Sequence, residues 1–450
     1  MADQRVAGLA TLKLSQTEIH QQYELPDLEA RRERQRLQAQ GGQAGQPPQP
    51  MPGQRMQQGP PPGAMPMQEL SEHKIVRAIY SERQLQEVLT DFWFNHFNVD
   101  AQKGRDRFLL TSYERDAIRP NVLGKFRDLL GATAQSPAML FYLDNWQSAA
   151  PQEMRRPQQP IMPRGGRGRG LQIPQPRPQQ NMARGLNENY ARELMELHTL
   201  GVDGGYTQKD VTEVARVFTG WTIDGPRAGA RFHFEPRMHD LGVKTVLGQT
   251  IRASDIREGE QVLDLLARHP STARFISTKL VRRFVSDEPP ASLVDRAAAR
   301  FRETDGDLRE VMRVILTSRE FRSPEAHRAK VKTPFEFVVS AVRATGVNVM
   351  ETRLLVRSVA DLGMPLYRCQ PPTGYKDTAE AWTNTGALVN RMNFALEFAS
   401  RPAVRAAMLP TLDGLLAGDV SDTTRATVAR ATTKEQTLAL ALGSPEFQRR

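Results

Sequence analysis

Two stretches of this chain are too poor in apolar residues to offset the entropy of ordering them, and their positions decide where a core can form. The first, residues 38–68, runs through QPPQPMPGQRMQQGPPPGAMPMQ. The second, residues 147–184, carries RGGRGRG at 164–170. Both are expected to be disordered, on composition. Dense apolar patterns flank the second tract on both sides, so it reads as an insertion inside one folded unit. The cost of closing a loop grows only logarithmically with its length, which makes such an insertion tolerable. The expected organisation is an N-terminal helical segment (1–37), a linker (38–68), the first part of a helical domain (69–146), the insertion (147–184) and the second part of the domain (185–450).

Outside the tracts a helical period dominates. Ile75, Ile79, Leu85, Val88, Leu89, Phe92 and Phe97 recur near i, i+3, i+4 spacing. So do Phe275, Leu280 and Phe284, and Phe335, Val338 and Val342. Start signals agree: Asn187 can cap a helix that ends before Gly201, Thr207 with Asp210 makes a capping box, and Pro334 suits a first turn. Strand signal is sparse. Residues 231–235 (RFHFE) alternate, and residues 244–247 before Gly248 are the expected partner. The predicted fold is mainly α: a multi-helix globular domain with a small β-hairpin element and the two disordered tracts.

Charge narrows the function classes. The formal net charge is +10, but residues 151–185 hold seven arginines against Glu153 and account for +6 of it. Residues 1–70 balance exactly seven bases with seven acids, which leaves +4 for the whole remainder. A basic binding face on the body is therefore not implied, and nucleic-acid contact is expected only weakly, through residues 155–184. Cys369 is alone, so no intramolecular disulfide can form. No run of eighteen apolar residues is present, and the first twenty residues lack the apolar core of a signal peptide. Read as written, the chain is expected to be soluble and to stay inside the cell.

Chemistry-bearing residues concentrate between Leu186 and Leu247. Asn187, Glu188, Asn189, Arg192, Glu193, Glu196, His198, His239 and Asp240 fall in this run, together with His233 and Glu235. Such side chains avoid burial unless they pair or do chemistry. Glu188, Arg192 and Glu196 are spaced for an (i, i+4) ladder. Upstream, Asn95, His96 and Asn98 sit among the aromatics of FWFNHF, where some of their polar atoms need an internal partner or a ligand. No HExxH, paired ExxH, GxSxG, Walker loop or helix-opening GxGxxG is present. The cofactor is open, and a divalent metal gathered from distant residues (His96, Glu193, His239, Asp240) is compatible with these ligand types. Residues 203–210 resemble the second half of a calcium loop, but the preceding positions lack carboxylates, and a turn with a helix cap explains them better.

With NHFNV at 95–99, GLNENYARELMELHTLGVDGGYTQKDVTEVARVFTGW at 185–221, HDLGVKTVLG at 239–248, LARHPSTARFISTKLVRRFVSDEPP at 266–290 and VKTPFEFVVSAVRATG at 331–346, the chain resembles the bacterial domain-of-unknown-function 1800 family over about residues 70–400. The resemblance implies a large, mainly helical bacterial protein, often exported, and often encoded beside an alkaline-phosphatase-like partner of the domain-of-unknown-function 1501 family. It carries over no reaction. The family's recurrent polar residues map onto Asn95, His96, Asn98, Asn187, Glu188, Arg192, Glu193, His198, His239 and Asp240, without roles. The usual leading segment is shortened here, so the resemblance and the first residues disagree on compartment.

Three functions are carried forward. The first is a hydrolase or lyase acting on a polymeric or envelope substrate in a pocket shared by the residues above. In it, Glu193 or His96 is the general base and Arg192 positions an anionic group. The second is a non-catalytic assembly role with the domain-of-unknown-function 1501 partner. The third is RNA association through the RGG tract.

Overall fold

A computed structural model describes residues 2–40, 62–151, 185–225 and 229–450. The bulk of both expected disordered tracts, 41–61 and 152–184, lies outside them. Their edges do not. The linker was expected to reach residue 68, but a helix already begins at Met65 and runs to Tyr80, with Pro66 in its first turn, where a missing N–H costs nothing. The insertion was expected from 147, yet Ser148, Ala149 and Ala150 are buried and the Ala149 N–H donates to the Gly185 carbonyl at 3.2 Å. That bond brings the two ends of the insertion side by side.

The fold is mainly helical, and one hydrophobic core runs from Leu70 to Phe447. Both halves flanking the insertion therefore share a single interior. The N-terminal segment packs onto it too: the Thr11 N–H and hydroxyl both donate to Glu69 at 2.7 Å, and Arg105 meets the buried Glu24 at 2.8 Å. Among the described residues no helix is long and apolar enough to cross a membrane.

Three elements position the site. The Gln84–His96 helix buries Leu89 and Trp93 one turn apart, which turns His96 inward at its last residue. The Pro270–Phe284 helix buries Ala273, Ile276, Leu280 and Val281 and leaves Lys279 and Arg282 on a partly open face. The third is the Glu188–Met195 helix, capped by the Asn187 side chain on the Tyr190 N–H at 3.1 Å. It continues as a π-helical turn, Glu196–Leu200, ended by Gly201 at φ 82°. The wider turn breaks the α register assumed from the sequence. Leu197 is only half-buried, while His198 and Thr199 turn inward.

The small β element differs from the expected hairpin. Strand Phe232–Phe234 pairs antiparallel with Trp221–Ile223, and Lys244–Val246 pairs with Gln249–Ile251. Leu247 and Gly248 both have positive φ, at 49° and 76°, the geometry of a two-residue turn that returns the chain on itself. Strand 221–223 escapes a search for alternation because all three of its residues are buried.

Candidate functional site

His96 is 2% exposed and both of its ring nitrogens are engaged. Nε2 donates to the His198 carbonyl at 3.1 Å, so Nδ1 keeps its lone pair. Into that lone pair the Lys279 ammonium donates at 2.8 Å. Burial, the Lys279 charge and His198 push the His96 imidazole far below its ordinary pKa. His96 is thus a neutral acceptor that holds an amine in place. Its walls are aromatic: Phe97 lies edge-on at 4.5 Å, Trp93 at 5.4 Å and Phe275 at 6.1 Å. His198 is buried against Phe97 at 5.1 Å, and burial lowers its pKa to about 3.

His96 and Lys279 line a cavity of about 250 Å³ with Asp91, Asn95, Arg282, Arg283, Tyr375, Lys376 and Asp377. Its roof is the loop from Pro365 to Thr378, and the two asparagines of the 95–98 segment hold that loop. Asn95 grips the backbone of Tyr375 twice: Nδ2 donates to its carbonyl at 2.8 Å and Oδ1 accepts its N–H at 2.7 Å. Asn98 donates to the Cys369 and Pro371 carbonyls at 2.8 and 2.9 Å. Only glycine suits position 374, where φ is +72° and a Cβ would stand 2.2 Å from the Asn95 carbonyl oxygen.

The cavity is electropositive. Four cations line it against two carboxylates, and both carboxylates already have partners: Asp91 meets Lys74 at 2.6 Å, and Asp377 meets Arg283 at 3.1 Å. Arg283, 5% exposed, is balanced further by Glu336 at 2.9 Å. Lys279, Arg282 and Lys376 have no carboxylate within ion-pair distance among the described residues; Arg282 donates only to the Asp287 carbonyl, at 3.2 Å. Burial and the neighbouring Arg282 charge lower the Lys279 amine to about 8. Such a group sits near neutrality as both proton donor and base.

The remaining residues singled out in the sequence lie elsewhere. His239 and Asp240 belong to a second buried cluster. There His239 Nδ1 donates to the Thr219 carbonyl at 2.8 Å and its Nε2 lies 3.3 Å from Glu258. Asp240 takes a two-pronged bond from Arg216 at 2.8 and 3.1 Å. Lys244, wholly buried, meets Glu258 at 2.7 Å and the Asp240 carbonyl. Burial pushes the Asp240 carboxyl up, and the Arg216 fork, the Gly242 N–H and the Lys244 charge together bring it below its ordinary range. Ion-pair contacts link these groups to one another.

The 188–196 carboxylates form a third group, and the expected ladder is absent from it. Arg192 donates to Gln208 at 2.6 Å instead. Glu188 accepts from Gln208 and Thr212, and Glu196 accepts from Tyr206. Glu193, its pKa raised by burial and by Glu196, has no hydrogen bond to another described residue and does not line the His96 cavity. Asn189 is exposed, and Asn187 is a cap. The expected shared pocket thus resolves into three places. His96 and Glu193 have no partner in common with His239 and Asp240, and no group of three or more His, Cys, Asp or Glu among the described residues could hold a metal.

Lys279, Arg282 and Tyr375 were missed in the sequence. The signal available was KLVRRF, whose cations recur at i, i+3 and i+4 in the last turns of a helix where its dipole favours them.

No curated protein and no solved structure matches the chain. One family model does, described as a protein of unknown function, over residues 2–449. With essentially its whole length matched, the chain belongs to the DUF1800 family.

Proposed function

We propose that the His96–Lys279 cavity is an anion-binding active site in which Lys279 transfers protons, in the service of hydrolase or lyase chemistry. The observation that carries this reading is the set of three cavity-lining cations without a carboxylate partner, beside two aspartates already paired. An anionic ligand supplies the missing counter-charge, and desolvated charge-assisted bonds are the strong ones. The roles given to Arg192 and Glu193 pass to other residues: Arg282 is the anion-positioning cation, and Lys279 is the group poised near neutral pH. His96 acts as the acceptor that orients Lys279, not as the base. A cavity of this size takes a small ligand or the end of a longer one.

Calorimetric titration with inorganic phosphate tests the reading. Wild type should bind, and Arg282→Gln and Lys279→Gln should each weaken binding by roughly tenfold or more, the loss of one charge-assisted hydrogen bond. Absence of binding by wild type, or unchanged affinity in both variants, would overturn it.

A second reading, assembly with the domain-of-unknown-function 1501 partner, rests on Leu388, Val389 and Leu396, which are 44–53% exposed along the Thr385–Ser400 helix. Co-purification lost on Leu396→Glu but kept in Lys279→Gln would favour it.

A further inference from the structure

We propose that Lys279 is a nucleophile that condenses with the carbonyl of a small aldehyde or ketone bearing an anionic group, forming a reversible imine. This rests on the anion-binding reading and adds the substrate class to it.

Other buried lysines in this molecule show what a structural lysine looks like. Lys244 contacts Glu258 at 2.7 Å, Lys74 contacts Asp91 at 2.6 Å, and Lys330 contacts Asp287. Each has a carboxylate within ion-pair distance. Lys279 has none among the described residues. Its hydrogen-bond partner is an imidazole nitrogen, which accepts a proton but carries no charge to retain it.

Geometry then aims the amine. The His198 carbonyl sets His96 as the Nε2–H tautomer, so Nδ1 can only accept. One N–H of Lys279 is committed to that acceptor at 2.8 Å. In the neutral amine the two remaining positions are one N–H and the lone pair, both free of the imidazole, on a side chain that lines the cavity. The Phe275 ring, 5.4 Å from Nζ, shields the nitrogen and favours a reaction that expels water. Arg282, one turn along the same helix, is placed to take the anionic group. Depression of an amine by desolvation and a neighbouring cation is a recognised route to a nucleophilic lysine.

The step needs no co-reactant. The lone pair adds to the carbonyl carbon, and the C–N bond forms as the C=O π pair moves to oxygen. A proton passes from nitrogen to that oxygen to give the carbinolamine. The hydroxyl then takes the remaining nitrogen proton and leaves as water as the nitrogen electron pair forms the C=N bond. Nothing is oxidised or reduced.

Lys332 serves as an internal control. It too is depressed to about 8, chiefly by burial, and donates to the Phe447 carbonyl at 2.7 Å, but it does not line the cavity. If depression alone made an imine-former, both lysines would react.

The test is trapping with glyoxylate and borohydride on the full chain, with adducts located by peptide mass spectrometry. Lys279 should label roughly tenfold faster than Lys332 or an ordinary surface lysine, and inorganic phosphate should protect it. Lys279→Arg should lose the adduct at 279, and Lys279→Met serves if the arginine does not fold. Phosphate binding with no adduct at Lys279 overturns the imine and leaves the anion site standing. Labelling of Lys279 at the rate of Lys332 also overturns it. Absence of phosphate binding overturns the underlying reading.

Discussion

Removing the Lys279 charge should make the protein more stable at neutral pH. A lysine depressed from 10.5 to about 8 is charged in the folded state at a cost on the order of 3 kcal/mol. The sign follows from the direction of the shift. Because the folded value lies below the unfolded one, the penalty is fully present below about pH 8 and disappears as pH rises toward 10.5. Lys279→Met removes it and keeps the apolar stem against Phe275. Against that gain, the His96 Nδ1 acceptor loses its donor, at about 1–2 kcal/mol for a buried unmet group. The expected net is a gain of roughly 1–2 kcal/mol at pH 7 that shrinks to nothing or reverses near pH 10. Urea unfolding at the two pH values, followed by tryptophan fluorescence, reads it directly. A variant several kcal/mol less stable at pH 7, or a difference that is the same at both pH values, would refute the reasoning, because either marks Lys279 as an ordinary structural cation.

Lys244→Met should do the opposite. It leaves Glu258 and Asp240 buried beside a vacated charge, and the loss should be about 3–5 kcal/mol in the same unfolding assay, with phosphate affinity of the folded fraction unchanged. Gly374→Ala should cost roughly 1–3 kcal/mol through its positive φ and its clash with the Asn95 carbonyl. It should also weaken phosphate binding, because the roof loop shifts. Asp106 is wholly buried, with neither carboxylate oxygen hydrogen-bonded to another described residue, and burial raises its pKa well above the ordinary value. The charged form therefore destabilises the fold above the unfolded value near 3.8. Asp106→Asn should gain stability relative to wild type as pH rises from 4 to 7, in thermal melts across that range.

The helical interior was legible because its signals are local. Apolar spacing located the Gln84–His96 and Pro270–Phe284 helices, cap chemistry located Asn187 and Thr207 at helix starts, and Pro334 marked a first turn. The site was legible only in part. His96, Asn95 and Asn98 stood out because polar groups inside an aromatic run must be satisfied somewhere. What satisfies them comes from residues 102 to 280 positions away, which no local pattern reports. Residues 186–247 looked like one site because their polar groups are close in sequence. The π turn at Glu196–Leu200 and the strand pairing at Trp221–Ile223 divide them among different surroundings. Lys279 and Glu258 were passed over because each sits at a position where a helix ordinarily shows a charge to water. Burial by distant elements changes their meaning, and burial is not written in the local sequence.

The account turns on whether Lys279 is an uncompensated cation waiting for an anion. Isotope-labelled dimethyl-lysine or direct amine NMR on the intact chain, titrated with and without inorganic phosphate, measures this at one atom, with Lys279→Arg used to assign the signal. The predicted result is a Lys279 midpoint near 8 in the free protein that moves upward when phosphate binds, since an anion favours the charged amine. A midpoint in the ordinary lysine range that phosphate leaves unmoved would contradict it.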